Sequence, residues 1–278
     1  MPDYDGHSGS GRHKTCPYCG YARDAKITYV SIFAMKAPDF PFIAMILAGG
    51  LGTRLRSVLS DRPKPMALVR GVPFLDILID SLAGKGVRKF AILTGYLGRM
   101  IEEHLRDKYG TGLDIAFSQE DEPLGTGGAV KLAAHLATEP TLLVNGDTFF
   151  DADLGQLSRF HEERRGQATL SLVKVQDSGR YGSVEVDQEG RVAGFREKDA
   201  SSGGPGLVNA GVSMLTRQFI LDLPAIGHFS MEKDIFPNIG AKGELFGLCQ
   251  DRAFFDIGTP ESYEAFKSFM ASGELRKD

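Results

Sequence analysis

The stretch Met45 to Met66, MILAGGLGTRLRSVLSDRPKPM, runs an apolar strand directly into a glycine-rich turn and then presents four cations. Residues without a Cβ allow positive φ, so the backbone N–H groups of such a turn can approach phosphate oxygens closely. Arg54 and Lys64 add positive charge nearby. The stretch therefore predicts a strand followed by a loop that binds a polyphosphate, and the glycines of this loop are Gly49, Gly50 and Gly52.

Other glycine motifs fit this stretch less well. The segment from Gly50 to Leu55 holds two of the three glycines of the dinucleotide fingerprint, which argues against hydride transfer. The Walker pattern is absent, because no Gly-Lys pair in the chain is followed by Ser or Thr. A plain βα turn that only needs space for its backbone stays open as an alternative.

The composition is that of a folded α/β protein: the chain has 278 residues, of which 42% are hydrophobic and 24% charged. No apolar run reaches the roughly 18 residues that span a bilayer, and the N-terminus lacks the layout of a signal peptide. Three cysteines do not make a disulfide framework. We therefore expect a cytoplasmic protein with no membrane partner. The net charge of −4 argues against nucleic acid as a partner.

Apolar strands alternate with amphipathic helices along most of the chain. This pattern predicts an α/β fold of Rossmann-like type, with a mixed, mostly parallel sheet and helices on both faces. The expected strands are 43–48, 89–94, 113–117, 141–144, 168–175, 183–186, 192–195 and 207–215, the last four extending the same sheet. The expected helices are 97–106, 127–136, 261–270 and one whose core stripe is Phe74, Leu75, Leu78, Ile79 and Leu82.

The first 42 residues do not follow this alternation. We expect residues 1–42 to be an accessory or mis-started leader, partly disordered, and residues 43–278 to form one catalytic domain. Cys16 and Cys19 could begin a zinc site completed by His7 and His13, or resemble a redox pair, but no second cysteine pair follows. Both interpretations stay open.

The first loop resembles the signature of the sugar-phosphate nucleotidyltransferases, in which Gly-Gly-x-Gly-Thr-Arg-Leu is followed by Pro-Lys-Pro. These enzymes join a nucleoside triphosphate to a sugar 1-phosphate. A second segment, QEDEPLGTGGAV from Gln119 to Val130, resembles the part of the family fold that contacts the base. The resemblance implies a nucleotide-binding set of Leu47, Ala48, Gly49, Gly50, Gly52, Thr53, Arg54, Lys64, Gln119, Gly125 and Thr126.

Two aspartates match the metal-binding positions of the family. Asp147 follows a buried apolar strand within Asn145-Gly146-Asp147, and Asp256 begins Asp-Ile-Gly-Thr-Pro. The resemblance implies that Asp147 and Asp256 bind Mg²⁺, which prefers hard oxygen ligands. It also makes Arg54, Lys64 and Asp147 the catalytic residues. An Asx turn at the end of a strand stays open as an alternative for Asp147.

The segments that would bind the sugar 1-phosphate acceptor resemble those of the family in residue type and in their order along the chain. The implied sugar-phosphate contacts are Gly146, Tyr181, Gly182, Glu197, Lys198 and Asn209. One departure is Asp199, because the family usually has Pro after Glu-Lys, and Glu197-Lys198 taken alone is more often a solvated pair.

Three further runs (145–154, 180–184 and 229–237) most resemble the D-glycero-α-D-manno-heptose 1-phosphate guanylyltransferase branch, with mannose 1-phosphate guanylyltransferases close behind. The implied substrates are GTP, favoured over other nucleoside triphosphates, and a sugar 1-phosphate. Homo-oligomerisation stays open. A non-catalytic homologue of the same fold is the alternative from a different class. The presence of Arg54, Lys64, Asp147 and Asp256 argues against it.

Overall fold

The computed structural model describes residues 39–50, 62–196, 204–225 and 227–273. The strands found there are β1 (Phe40–Leu47), β2 (Leu68–Val69), β3 (Val72–Pro73), β4 (Val87–Thr94), β5 (Asp114–Gln119), β6 (Thr141–Asn145), β7 (Thr148–Phe150), β8 (Ala168–Val175), β9 (Ser183–Val186), β10 (Val192–Arg196), β11 (Gly206–Leu215), β12 (Leu245–Cys249) and β13 (Phe254–Asp256). The α-helices are α1 (Phe74–Gly84), α2 (Gly98–Tyr109), α3 (Gly125–Leu132), α4 (Leu154–Arg164), α5 (Arg217–Asp222), α6 (Phe236–Ala241) and α7 (Pro260–Ser272).

Seven strands form the central sheet, in the order β12-β8-β11-β6-β1-β4-β5. Neighbours run parallel throughout except at β11, which is antiparallel to both β6 and β8. The predicted fold class, a mostly parallel mixed sheet, is confirmed. Among the residues that the structure describes, no helix is both apolar and long enough to cross a bilayer.

Helices cover both faces of the sheet because the central strands are apolar on both sides. Ala44 and Ile46 of β1 pack in one core with residues of α1, α2 and α4. Ile43 and Met45 pack in the other core with residues of α3, α5 and α6. A strand buried on both faces has a continuous apolar sequence, and this is why the sequence predicted β1.

One part of the predicted sheet is wrong. The segments 183–186 and 192–195 do not extend the central sheet: among the described residues, β9 and β10 pair with each other alone, as an antiparallel hairpin. The hairpin cannot join the central sheet beside β8, because both edges of β8 are already occupied, by β11 and β12. The Asp187 side chain also accepts hydrogen bonds from the N–H groups of Glu189 and Arg191, which closes the tight turn of the hairpin.

A third apolar cluster fixes the strand pair β7–β13 against the rest of the domain. The Phe266 ring of α7 lies 5.2 Å from Phe74, 5.3 Å from Phe149 and 5.5 Å from Phe255, measured between ring centroids. Aromatic contacts at these separations stabilise a fixed arrangement. The cluster matters for function because Asp147 precedes β7 and Asp256 ends β13.

Candidate active site

The candidate site lies at the carboxyl ends of four neighbouring parallel strands, β6, β1, β4 and β5. Backbone hydrogen bonds continue past the strands and tie their ends together: Gly146 N donates to Leu47 O at 2.9 Å, and Ala48 N donates to Leu93 O at 2.8 Å. Ligands in open α/β sheets bind beyond this edge. The predicted residues Leu47, Ala48 and Gly49 therefore lie where a ligand-binding turn is expected.

Gly146 is at the closest approach between two of these strand ends. A Cβ at this position would lie 2.3 Å from the carbonyl oxygen of Leu47, a distance that real Cβ contacts do not show. Glycine is therefore required, because it lets the end of β6 touch the end of β1. The contact sets the position of the next residue, Asp147, relative to the glycine turn. At Gly50, in contrast, a Cβ would meet no atom within 4 Å.

Lys64 and Asp147 form an ion pair at this edge. Lys64 Nζ donates a hydrogen bond to Asp147 Oδ2 at 2.6 Å, and the Lys64 side chain is only 11% exposed whereas that of Asp147 is 42% exposed. A short 3₁₀ turn, Lys64–Met66, carries the lysine, and its Pro65 and Met66 are buried. The buried residues anchor the turn, so the ammonium group is held in place. The Pro-Lys-Pro motif thus delivers its cation to the aspartate that the sequence predicted.

Asp256 is brought beside Asp147 by the short ladder between β7 and β13. Asp256 pairs with Thr148, and Ile257 N donates to Asp147 O at 2.9 Å. The carboxylate of Asp256 accepts a hydrogen bond from Gly258 N and lies 3.9 Å from Arg180 Nη2. The two predicted carboxylates therefore lie on adjacent chain segments, and each faces a cation.

The donor set at this place fits a hard divalent cation. Asp147 and Asp256 supply carboxylate oxygens, the ligand type that Mg²⁺ prefers, and Mg²⁺ usually takes one or two carboxylates together with substrate phosphates. Among the residues that the structure describes, no group of three or more His, Cys, Asp or Glu side chains could hold a metal by itself.

The second predicted nucleotide segment is held by a chain region that the sequence had not linked to it. Gly127 N donates to Phe229 O at 2.9 Å, and a Cβ at Gly125 would lie 2.5 Å from the same oxygen. Thr126 Oγ1 donates to Glu232 Oε2 at 2.8 Å and accepts from Met231 N at 2.8 Å. These glycines thus make room for the passing backbone of Phe229, and this contact fixes the start of α3.

Gln119 and Glu120 extend from the end of β5 in different directions. Gln119 is exposed, and its Cδ lies 3.5 Å from the position that a Cβ on Gly98 of α2 would take. Glu120 is half-buried: its Oε2 accepts a hydrogen bond from Leu124 N at 3.0 Å, and burial raises the pKa of its carboxyl group. Sequence reasoning assigned no role to Glu120.

On the acceptor side, Tyr181 and Gly182 follow the turn that carries Arg180. The Tyr181 ring packs edge-on against Phe254 at 5.4 Å, and burial raises the pKa of its phenol. Asn209 lies at an irregularity in β11, where its Oδ1 accepts from Gly211 N at 3.0 Å. Arg180, which lies beside Asp256, was given no role by sequence reasoning, although it directly precedes the Tyr-Gly match.

Several predicted residues lie outside the residues that the structure describes. They are Gly52, Thr53 and Arg54 of the first loop, Glu197 and Lys198 of the acceptor loop, and the leader residues His7, His13, Cys16 and Cys19.

Comparison with known proteins decides the family. The nucleotidyl transferase family model matches residues 43–273. The chain belongs to this family. The predicted enzyme class, a sugar-phosphate nucleotidyltransferase, is thereby confirmed.

Individual relatives are similar over most of the chain. The D-glycero-α-D-manno-heptose 1-phosphate guanylyltransferase of Campylobacter jejuni is 38% identical over 80% of this chain and 97% of its own length. A mannose-1-phosphate guanylyltransferase of Mycobacterium tuberculosis is 36% identical, over 79% of this chain and 62% of its own length. The crystal structure of HddC from Yersinia pseudotuberculosis matches with a TM-score of 0.75 at 34% identity, over 82% of this chain and 99% of that one. The same protein complexed with GMP-PN matches with a TM-score of 0.74.

Proposed function

We propose that this nucleotidyltransferase transfers GMP from GTP to a sugar 1-phosphate, with D-glycero-α-D-manno-heptose 1-phosphate as the preferred acceptor, and releases pyrophosphate. The observation that carries the proposal is the Lys64–Asp147 pair beside the Gly49 turn, with Asp256 on the adjacent strand. This arrangement brings one cation and two carboxylates to the sheet edge where ligands bind. Such a set suits the stabilisation of phosphate charge.

The reaction needs no covalent enzyme intermediate. An oxygen of the acceptor phosphate attacks the α-phosphorus of GTP in line, a new P–O bond forms, and the bond to the β-phosphate oxygen breaks so that pyrophosphate leaves. The acceptor phosphate is already ionised at neutral pH, so no strong general base is required. Catalysis then consists of positioning the two phosphates and neutralising the charge that develops on them.

The chain's own residues divide this work. The N–H groups of the Gly49–Gly50 turn, with Arg54 and Lys64, hold the triphosphate. Asp147 and Asp256 would hold Mg²⁺, which when bound supplies charge neutralisation at the phosphate oxygens. Lys198 holds the acceptor phosphate, while Glu197, Asn209 and Tyr181 exchange hydrogen bonds with sugar hydroxyls.

Base and sugar are proposed from the relatives. A guanylyltransferase for the heptose 1-phosphate is 38% identical to this chain, and a similar solved structure was complexed with GMP-PN. A mannose 1-phosphate guanylyltransferase is 36% identical, which keeps mannose 1-phosphate as the competing acceptor. Because nucleoside triphosphates are available inside cells, we also propose a cytoplasmic enzyme.

The test is pyrophosphate release across a grid of the common nucleoside triphosphates and several sugar 1-phosphates, with Mg²⁺ in excess. We expect GTP with the heptose 1-phosphate to give the highest kcat/KM. Equal use of UTP or dTTP would overturn the guanylyl assignment, and a preference for mannose 1-phosphate would overturn the acceptor. A folded protein that releases no pyrophosphate with any pair would instead be a non-catalytic homologue.

A further inference from the structure

A short hairpin, formed by β2 and β3, follows the turn that carries Lys64. Its two strands are joined by Arg70 and Gly71, whose φ angles are 53° and 83°. Positive φ at both central residues is typical of a two-residue turn of type I′. Phe74 N donates to Ala67 O at 2.8 Å at the base of the hairpin. The Lys64 turn is tied to the same base, because Ala67 N donates to Lys64 O at 3.0 Å.

The carbonyl group of Leu68 in β2 points away from β3. Antiparallel strands alternate between residue pairs that exchange hydrogen bonds and pairs that do not. Since Phe74 N donates to Ala67 O, the carbonyl of the next residue, Leu68, faces the outer side of the hairpin. There it meets α7 instead of another strand: the hydroxyl of Tyr263 donates a hydrogen bond to Leu68 O, and Tyr263 is only 5% exposed.

A second contact attaches the tip of the hairpin to the other end of α7. Arg70 Nη1 donates to Met270 O at 3.1 Å. Met270 lies in the last turn of the helix, where carbonyl groups without helical partners and the helix dipole both favour a cation. Tyr263 lies in the first turn of the same helix. The hairpin is therefore held along α7 at both ends of the helix.

The start of α7 is also close in sequence to the proposed metal site. The helix begins shortly after Asp256, which is held beside Asp147 by the ladder between β7 and β13. Tyr263 thus connects the segment that carries Asp256 with the segment that carries Lys64. The two segments differ in how they are fixed, because Asp256 has its own ladder, whereas the Lys64 turn is joined to α7 through Leu68.

We propose that Tyr263 is a positioning residue for Lys64, and that its hydroxyl acts by holding the hairpin, and with it the Lys64 turn, on α7. This inference rests on the proposed function, because it requires Lys64 to act on the triphosphate. Without the hydroxyl, the Tyr263 ring still packs in the third apolar cluster. The half-buried Leu68 can then turn its carbonyl to water. The Lys64 ammonium group loses its fixed place, while the Asp256 ladder stays intact.

The first experiment compares Tyr263→Phe with Tyr109→Phe at a temperature at which both variants are folded. The control also removes a phenol hydroxyl that makes a hydrogen bond, from Tyr109 to Asp80 Oδ1 at 2.7 Å, between α2 and α1. In Tyr263→Phe, kcat should fall about 10- to 100-fold, the loss expected from a catalytic group misplaced by up to about 1 Å. The KM for the sugar 1-phosphate should stay unchanged, because the proposed acceptor contacts lie on other elements. Tyr109→Phe should keep the wild-type kcat.

The second experiment repeats Tyr263→Phe in a Lys64→Ala background, with enough enzyme to follow a single turnover. If the hydroxyl acts through Lys64, its removal should have no further effect once the ammonium group is gone, because changes to one interaction are not additive. A merely structural role would give the same fold-loss in both backgrounds, within about twofold. Such additivity would overturn the proposal, and so would a wild-type kcat in Tyr263→Phe.

Arg70→Asn keeps the proposal testable if Tyr263→Phe does not fold. Arg70 is exposed, and Asn-Gly is the preferred pair for this turn type, so the hairpin should form without its contact to Met270. In that case kcat should fall in Arg70→Asn but not further in the Lys64→Ala background, and an unchanged kcat would overturn the proposal. Failure of the proposed function gives a different result, because the wild-type enzyme would then release no pyrophosphate from GTP.

Discussion

Replacing Gly146 by alanine should damage catalysis more than it damages the fold. The new Cβ would lie 2.3 Å from Leu47 O, whereas ordinary contacts begin at 3.4 Å, so the ends of β6 and β1 must separate by roughly 1 Å. The hydrogen bond from Gly146 N to Leu47 O would lengthen with them. A misplacement of about 1 Å in a catalytic group can cost about a hundredfold in rate, and Asp147 is the next residue.

The measurement is steady-state pyrophosphate release together with thermal unfolding. We expect kcat to fall about a hundredfold and the free energy of unfolding to fall by about 1–3 kcal/mol, the usual cost of overpacking. Gly155→Ala is the matched control: it lies in the first turn of α4, where a Cβ would meet atoms no closer than 3.5 Å. Its activity should stay unchanged. Wild-type turnover in Gly146→Ala would refute the argument that this contact positions Asp147.

Three more outcomes are expected. Asp147→Asn or Asp256→Asn should lower turnover at least about a hundredfold at saturating Mg²⁺ without unfolding the protein, and near-normal pyrophosphate release would remove that carboxylate from the site. Arg54→Lys should lower kcat/KM for GTP because lysine keeps the charge but loses the bidentate fork, and an unchanged value would make Arg54 a surface residue. Burial lowers the pKa of His161 to about 4, so its neutral form is favoured in the folded state and about 3 kcal/mol of stability should be lost as pH falls from about 6.5 to about 4. Urea unfolding at about pH 7 and about pH 4.5 checks this, since His161→Gln should show a smaller loss over that range, and an equal loss would contradict it.

The central strands were predictable because burial on both faces leaves a strong apolar signal. The central strand 168–175 was predicted with the bounds that the structure has, and the stripe of α1 is buried as expected. The bounds of strand 183–186 were also predicted, although it lies outside the central sheet. Helix α4 was missed: only Leu154, Leu157 and His161 of this helix are buried, and polar residues fill most of the rest. Three buried positions in eleven are too few to be seen against the surrounding charge.

Pairing between distant segments was less predictable. Ser183 to Val186 has the alternation of a sheet strand, but that pattern does not say which neighbour a strand finds. The sequence also could not reveal that the Phe229 backbone packs on the glycines of α3, since 102 positions separate Gly127 from Phe229 (229 minus 127). Glycines that make room for a distant backbone look the same in sequence as glycines that approach a ligand.

The sequence by itself determined the fold class and gave the positions of the glycines and charged residues of the proposed site, because hydrophobic period and glycine content are properties of short stretches of chain. Only the tertiary structure decided which groups meet: Lys64 with Asp147, Asp256 beside them, and Glu120 rather than Gln119 beside Gly49. The physical reason is that these contacts depend on strand order and on the direction of each side chain at a strand end. A shift of one residue there reverses the face to which a side chain points.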